Sequence, residues 1–252
     1  MSYRSRALWV LGYPEAALAD MEHALKEARV IGQAATLMYA LTNLSLPLIH
    51  CGNYATVNAQ LEEGVALAEE KGASLWKAAA IMNRGCILAL SGKASDAVQM
   101  ITSGIAAWRS TGATLWVPLY LSYLARAYAE LDQFDHAWHY VGEAMKAVET
   151  TEERWCEADI HRIVGEIALL SPEPDVAKAE DYFERALAIA RQQQAKSWEL
   201  RAAMSLARLW RDQGKVQQAR ELLAPVYGWF TEGFETRDLK EAMTLLEELA
   251  AE

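Results

Sequence analysis

The sequence predicts an all-α protein: a right-handed α-solenoid of about six helix pairs ending in a C-terminal capping helix. Three observations predict it. Short apolar residues, Ala17, Val57, Ala97, Ala137, Ala179 and Ala219, recur at intervals of 40, 40, 40, 42 and 40. A turn residue (Gly12, Gly52, Gly92, Asp132 or Gly214) stands five positions before all but the fifth of them. Apolar residues make up 52% of the chain, enough to bury the seams between helix pairs, yet none of their runs is long enough to span a bilayer. The reading is one elongated domain over 1–252, with units near 1–32, 33–72, 73–112, 113–152, 153–195 and 196–232 and a cap over 236–251. In such an array each unit contacts mainly its neighbours.

The elements follow in order. Before Gly12 there is room only for a short helix, Arg4–Leu11, which would leave Leu8, Trp9 and Val10 poorly covered. That predicts either a longer parent protein or a partner over this end. The helix after each turn repeats one face. Met21, Leu61, Ile101, Val141, Phe183 and Leu223 fall four residues after the short apolar column. The mostly small Ala24, Gly64, Gly104, Ala144, Ala186 and Val226 fall three further on, where a neighbouring helix presses in. The helix before each turn has its own column, Leu41, Ile81, Leu121, Ile160 and Ala203, followed by the mostly small Ser45, Gly85, Ala125, Val164 and Ala207. Pro47 should kink or break its helix, whereas Pro118 falls in a first turn, where the missing N–H costs nothing. The unit Gly112–Thr151 shows the pattern most fully, with its turn at Leu131–Asp135. In the fifth unit the turn is the stiffer Ser171-Pro172-Glu173-Pro174, which accounts for the interval of 42. Thr236–Ala250 places Leu239, Met243, Leu246 and Leu249 on one face, with Thr236 as N-cap.

These parallel columns resemble tetratricopeptide repeats, whose unit is about 34 residues; the period here is nearer 40. The resemblance implies that the first helix of each pair lines a concave surface, and that Asn43 and Asn83 match the asparagine column that holds peptide backbone or carboxylate in that family. Tyr123, Arg162 and Ser205 occupy the column in later units. The run Ala190–Leu249 is also similar to the C-terminal repeat region of large bacterial signalling proteins, in which a nucleotide-cyclase-like and a predicted ATPase domain precede the repeats. That resemblance implies a fragment or stand-alone relative of a regulatory region.

Composition narrows the function. A net charge of −10 disfavours nucleic acid and anionic membranes as partners. Acidic residues concentrate between Glu130 and Glu157 and basic ones from Arg185 to Arg220. Cys51, Cys86 and Cys156 lack metal-ligand spacing and read as small core or groove residues in a reducing compartment. Met1–Arg6 lacks the apolar core of a signal peptide, so a cytoplasmic location is expected. No phosphate-cradling glycine loop or serine-nucleophile motif occurs. Cys156 and His161 are five apart, about 140° round a helix, and diverge. His136, His139 and Glu143 share a face, but no second cluster completes a metal site. The expectation is a non-enzyme without metal or cofactor.

The candidate site is a groove. Trp76, Trp116, Trp155 and Trp198 open successive first helices, either as a ligand ladder or as packing between repeats; packing is favoured. Arg201 and Arg208 are seven apart on one face, Arg211 lies one turn beyond Arg208, and Arg208 shares a column with Arg126. Asn43, Asn83, Tyr123, Arg126, Arg201 and Arg208 would bind an acidic peptide segment or a neighbouring domain, making the protein an interaction or regulatory scaffold. The arginines would otherwise be solvated or paired with Glu199, Asp212 and Glu221. Two further readings stay open. One is a small-molecule sensor with Trp and Tyr lining an apolar pocket inside the superhelix. The other is a homo-oligomer formed through the Trp9 edge.

Overall fold

The computed structural model describes residues 2–251, and among them every regular element is an α-helix. The helices are α1 (Ser2–Val10), α2 (Pro14–Ile31), α3 (Ala34–Asn43), α4 (Ser45–Cys51), α5 (Tyr54–Glu70), α6 (Ser74–Leu90) and α7 (Ala94–Ser110). They continue as α8 (Val117–Glu130), α9 (Phe134–Thr151), α10 (Glu157–Leu170), α11 (Val176–Gln192), α12 (Lys196–Asp212), α13 (Val216–Tyr227) and α14 (Arg237–Ala251). Consecutive helices pair as α1/α2, α6/α7, α8/α9, α10/α11 and α12/α13, with α3 and α4 sharing α5. The first helices also pack on one another, α3 on α6, α6 on α8, α8 on α10 and α10 on α12. The fold is thus all-helical and repeat-like.

The column that set the register is the tightest part of the packing. Ala17, Val57, Ala97, Ala137, Ala179 and Ala219 are all at 0% exposure. Close approach explains why neighbouring positions are small. A Cβ added to Gly85 on α6 would stand 2.5 Å from Cγ1 of Ile101 on α7, and one added to Gly165 on α10 would stand 2.5 Å from the Phe183 ring on α11. The turn residues adopt the left-handed conformation that ends a helix, with φ of 93° at Gly12, 86° at Gly52, 71° at Gly92, 58° at Asp132 and 75° at Gly214.

Pro47 separates α3 from α4 at Leu44, as its missing N–H requires. The cap differs from expectation. The Thr236 hydroxyl donates to the Gly233 carbonyl rather than accepting from the helix. The buried face of α14 is Leu239, Ala242, Leu245 and Leu249, while Met243 is 44% exposed. The face turns because α14 packs against α12, α13 and also α4.

That last contact marks the main departure from the expected shape. The array curls until its two ends meet, with α1 on α12 and α4 on α14. The accessible surface is 11279 Å². A compact globular protein of this mass, 28.0 kDa, is expected to expose about 11,100 Å². The domain is therefore not elongated. The exposed N-terminal edge disappears too: Trp9 is 3% exposed, covered by the chain's own His50 and Trp198. No described helix is long and apolar enough to cross a membrane.

Candidate functional site

Two of the predicted groove residues are part of the packed interior. The Asn83 amide donates to the Thr42 carbonyl at 2.8 Å and to Ser45 Oγ at 2.8 Å, and its oxygen accepts from the Tyr120 hydroxyl at 2.6 Å. Each of these bonds ties α6 to a neighbouring first helix, so Asn83 has no free amide for a ligand. Tyr123 is fully buried, with its hydroxyl 3.5 Å from Asp159. Burial pushes its phenol well above the usual range. Asn43 lies in a separate cleft beside Tyr39, Trp76 and Trp116, with its carbonyl accepting from Arg6 Nη2 at 3.1 Å.

Arg126, Arg201 and Arg208 do converge. They line one cavity of about 170 Å³, open to solvent, together with Arg162 and Arg237. Glu166, Asp238 and Glu241 share the wall. In the deep part each arginine is ion-paired, while Glu166 Oε2 is buried without a hydrogen-bond partner. Arg162 Nε donates to Asp159 at 2.6 Å and its Nη1 to Glu166. Arg201 Nε donates to Asp238 at 2.6 Å. The rim is held more loosely. Arg126 donates to Glu130 at 3.0 Å and stands 3.6 Å from Glu166, and Arg208 touches Glu241 at 3.3 Å with both side chains about two-fifths exposed. The partners are therefore not the Glu199, Asp212 and Glu221 of the alternative reading, except that the neighbouring Arg211 does pair with Asp212. Glu199 instead pairs with Arg191 and Lys196.

The electrostatics fix these charges. Burial alone would raise the Glu166 carboxyl, but Arg162, Arg126 and Arg208 outweigh it and hold it below the usual carboxylate range. Burial would likewise raise Asp238, and Arg201 and Arg237 reverse the shift. Guanidinium groups stay protonated. At neutral pH the wall therefore carries five guanidinium and three carboxylate groups, a pattern able to orient an anion.

The back of the wall is the seam between the chain's ends. Arg201 Nη2 donates to the His50 carbonyl at 3.3 Å, and its Nη1 lies 3.3 Å from His50 Nδ1. Arginine only donates, so Nδ1 accepts and the proton of the neutral ring sits on Nε2. Arg237 Nη1 donates to the Tyr54 hydroxyl at 2.6 Å. Ser197 Oγ donates to the Trp9 carbonyl at 2.5 Å, and Glu232 accepts from the Ala16 amide at 2.9 Å.

The tryptophans pack on one another. Ring centroids are 5.5 Å apart for Trp116 and Trp155, 6.1 Å for Trp155 and Trp198, and 4.6 Å for Trp198 and Trp9. Trp76 instead meets Tyr39. Arg6 of α1 stacks on Trp116 at 3.6 Å, while Trp76 and Trp116 also line the cleft that holds Asn43. His139 pairs with Glu143 and His136 stacks on Tyr128, while His161 stacks on Tyr182, away from the buried Cys156.

Sequence reasoning placed Arg162 in the groove column but missed Glu166, one helical turn later, and Arg237, Asp238 and Glu241 on the cap. The Arg162–Glu166 spacing of four was a readable signal. The cap residues gave none, because their contacts lie far along the chain.

No family model matches the chain, and no curated protein matches it. Among solved structures it is similar to the crystal structure of BtubC (BKLC) from P. vanneervenii. The TM-score is 0.56 at 16% identity, covering 94% of this chain and 90% of that one. At such identity the likeness speaks for the all-helical, repeat-like fold alone.

Proposed function

We propose that this chain is a non-enzymatic regulatory module that holds a small anionic ligand in the arginine-lined cavity, within a right-handed solenoid of six tetratricopeptide-like helix pairs and a cap. One observation carries the reading: five guanidinium groups from α8, α10, α12 and α14 converge on a cavity open to solvent. Its volume, about 170 Å³, suits a molecule bearing one or two carboxylates or a phosphoryl group. An extended peptide along the first helices is disfavoured, because Asn83, Tyr123 and Arg201 are already buried and bonded. The similarity of Ala190–Leu249 to the repeat regions of bacterial signalling proteins supports a regulatory role.

A second reading keeps a protein partner. Arg126 and Arg208 form the rim, so an acidic side chain reaching in from a partner would meet them first. Self-assembly through Trp9 is not retained, since the residue is covered within the chain.

Calorimetric titration separates the two readings. Succinate, inorganic phosphate and an acidic peptide would be titrated into the parent and into an Arg126→Gln, Arg208→Gln variant of matched thermal stability. The proposal expects a small anion to bind the parent and the variant to lose about tenfold or more in affinity, roughly 1.4 kcal/mol. Binding of the peptide alone supports the second reading. A parent that binds none of the three contradicts both.

A further inference from the structure

Resting on that reading, we propose that anion binding in the cavity and closure of the seam between the chain's ends are one coupled equilibrium, with Arg201 and Arg237 as the shared elements. Both arginines face two ways. On one side they line the cavity. On the other they hold the N-terminal part of the chain: Arg201 through the His50 carbonyl, and Arg237 through the Tyr54 hydroxyl at 2.6 Å. Asp238, itself on the cavity wall, bridges the pair, accepting from Arg201 at 2.6 Å and from Arg237 at 3.0 Å. The guanidinium planes at the cavity wall are thus oriented by residues more than 150 positions away.

The coupling has a definite sign. In the closed array the seam holds Arg201 and Arg237 in place, so an anion meets guanidinium groups already fixed at the wall and loses little freedom in organising them. If α1, α4 and the start of α5 leave α12 and α14, the His50 carbonyl and the Tyr54 hydroxyl leave with them. Both side chains then regain rotamer freedom that binding must remove again. The anion therefore favours the closed form, and by linkage closure favours the anion by the same factor. His50 and Tyr54 do not line the cavity, and each is bonded to one of the two arginines that do.

The test uses the full chain with inorganic phosphate and succinate as probes. Affinity is measured for the parent, for Tyr54→Phe, which removes only the hydroxyl that binds Arg237, and for Ser197→Ala, which removes the hydroxyl that binds the Trp9 carbonyl. Amide hydrogen exchange in 2–10 and 45–51 is followed with and without probe. The coupling predicts an affinity loss of about fivefold or more in both variants. It also predicts slower exchange of these segments in the parent on adding probe, and no slowing in an Arg126→Gln, Arg208→Gln variant. Equal affinities with unchanged exchange, in a parent that does bind a probe, would overturn the coupling and leave the binding site standing. A parent that binds neither probe overturns the site and the coupling with it.

Discussion

Arg201 on α12 donates a hydrogen bond to the carbonyl of His50 at the end of α4, 151 positions earlier in the chain. Its guanidinium also lies 5.1 Å from the ring centroids of both Trp9 and Trp198. One side chain thus joins the first quarter of the protein to the last and forms part of the cavity wall. The ends of a helical-repeat array ordinarily touch only their immediate neighbours. Here they touch each other, and the cavity that holds three of the predicted groove arginines opens beside this contact.

Trp9 is one of two tryptophans buried at this junction, packed edge-on against Trp198. Replacing Trp9 with Ala should cost about 3–5 kcal/mol of stability, as for other buried aromatic truncations. Denaturant unfolding monitored by circular dichroism checks it. A loss under about 0.5 kcal/mol, the range of ordinary surface substitutions, would mean that Trp9 is not buried in solution.

His50 makes the junction sensitive to acid. Burial lowers its pKa well below the usual imidazole value, and Arg201, Arg237, Arg6 and Arg162 lower it further. The unfolded chain then binds a proton that the folded chain refuses. Stability should be full above about pH 6.5, the ordinary histidine value, and fall as the pH drops below it. Asp238 and Glu166, held below their usual range by arginines, add losses only below about pH 4. In His50→Gln the amide oxygen can still accept from Arg201. Its melting temperature should stay flatter than the parent's between pH 6.5 and 4.5, and parallel curves would contradict the assignment.

Asn83 tests the division between core and site. Asn83→Ala should destabilise by about 1–3 kcal/mol, because the Tyr120 hydroxyl and the Thr42 carbonyl lose a buried partner. Affinity for a cavity anion should change less than twofold once stability is matched, for a residue that does not line the wall. Loss of affinity without loss of stability would restore Asn83 to the site.

The packing column can be probed through Gly85. A methyl there would stand 2.5 Å from Ile101 Cγ1 and 3.1 Å from the Ile101 backbone nitrogen. Gly85→Ala should cost about 1–3 kcal/mol from overpacking. Ile101→Ala, which removes the clashing Cγ1, should cost less in the Gly85→Ala chain than in the parent in a double-mutant cycle, and strict additivity would show that the two sites do not touch.

The helix pairs were legible because their signals are local. Ala97, Gly92 and Gly104 report one turn and one crossing within 13 residues, and the same triplet recurs down the chain. Arg126, Arg201 and Arg208 were legible as a group because they share a helix face or a repeat column. The closure was not legible. Arg237 meets Tyr54 across 183 positions, and Glu15 meets the Gly233 amide across 218. No periodicity encodes such contacts; they arise from small rotations accumulated over successive pairs. Reading Trp9 as uncovered was the cost of treating each unit as if it met only its neighbours.

Small-angle X-ray scattering of the parent chain tests the closure most directly. A closed array predicts a single compact species with a radius of gyration near 18 Å, the value expected for about 250 residues folded compactly. It also predicts a profile that shifts to a longer maximum dimension in Trp9→Ala with Arg201→Ala. A parent that already scatters as an open, elongated superhelix, with no change in the double variant, would contradict the closed architecture and the shared role of Arg201.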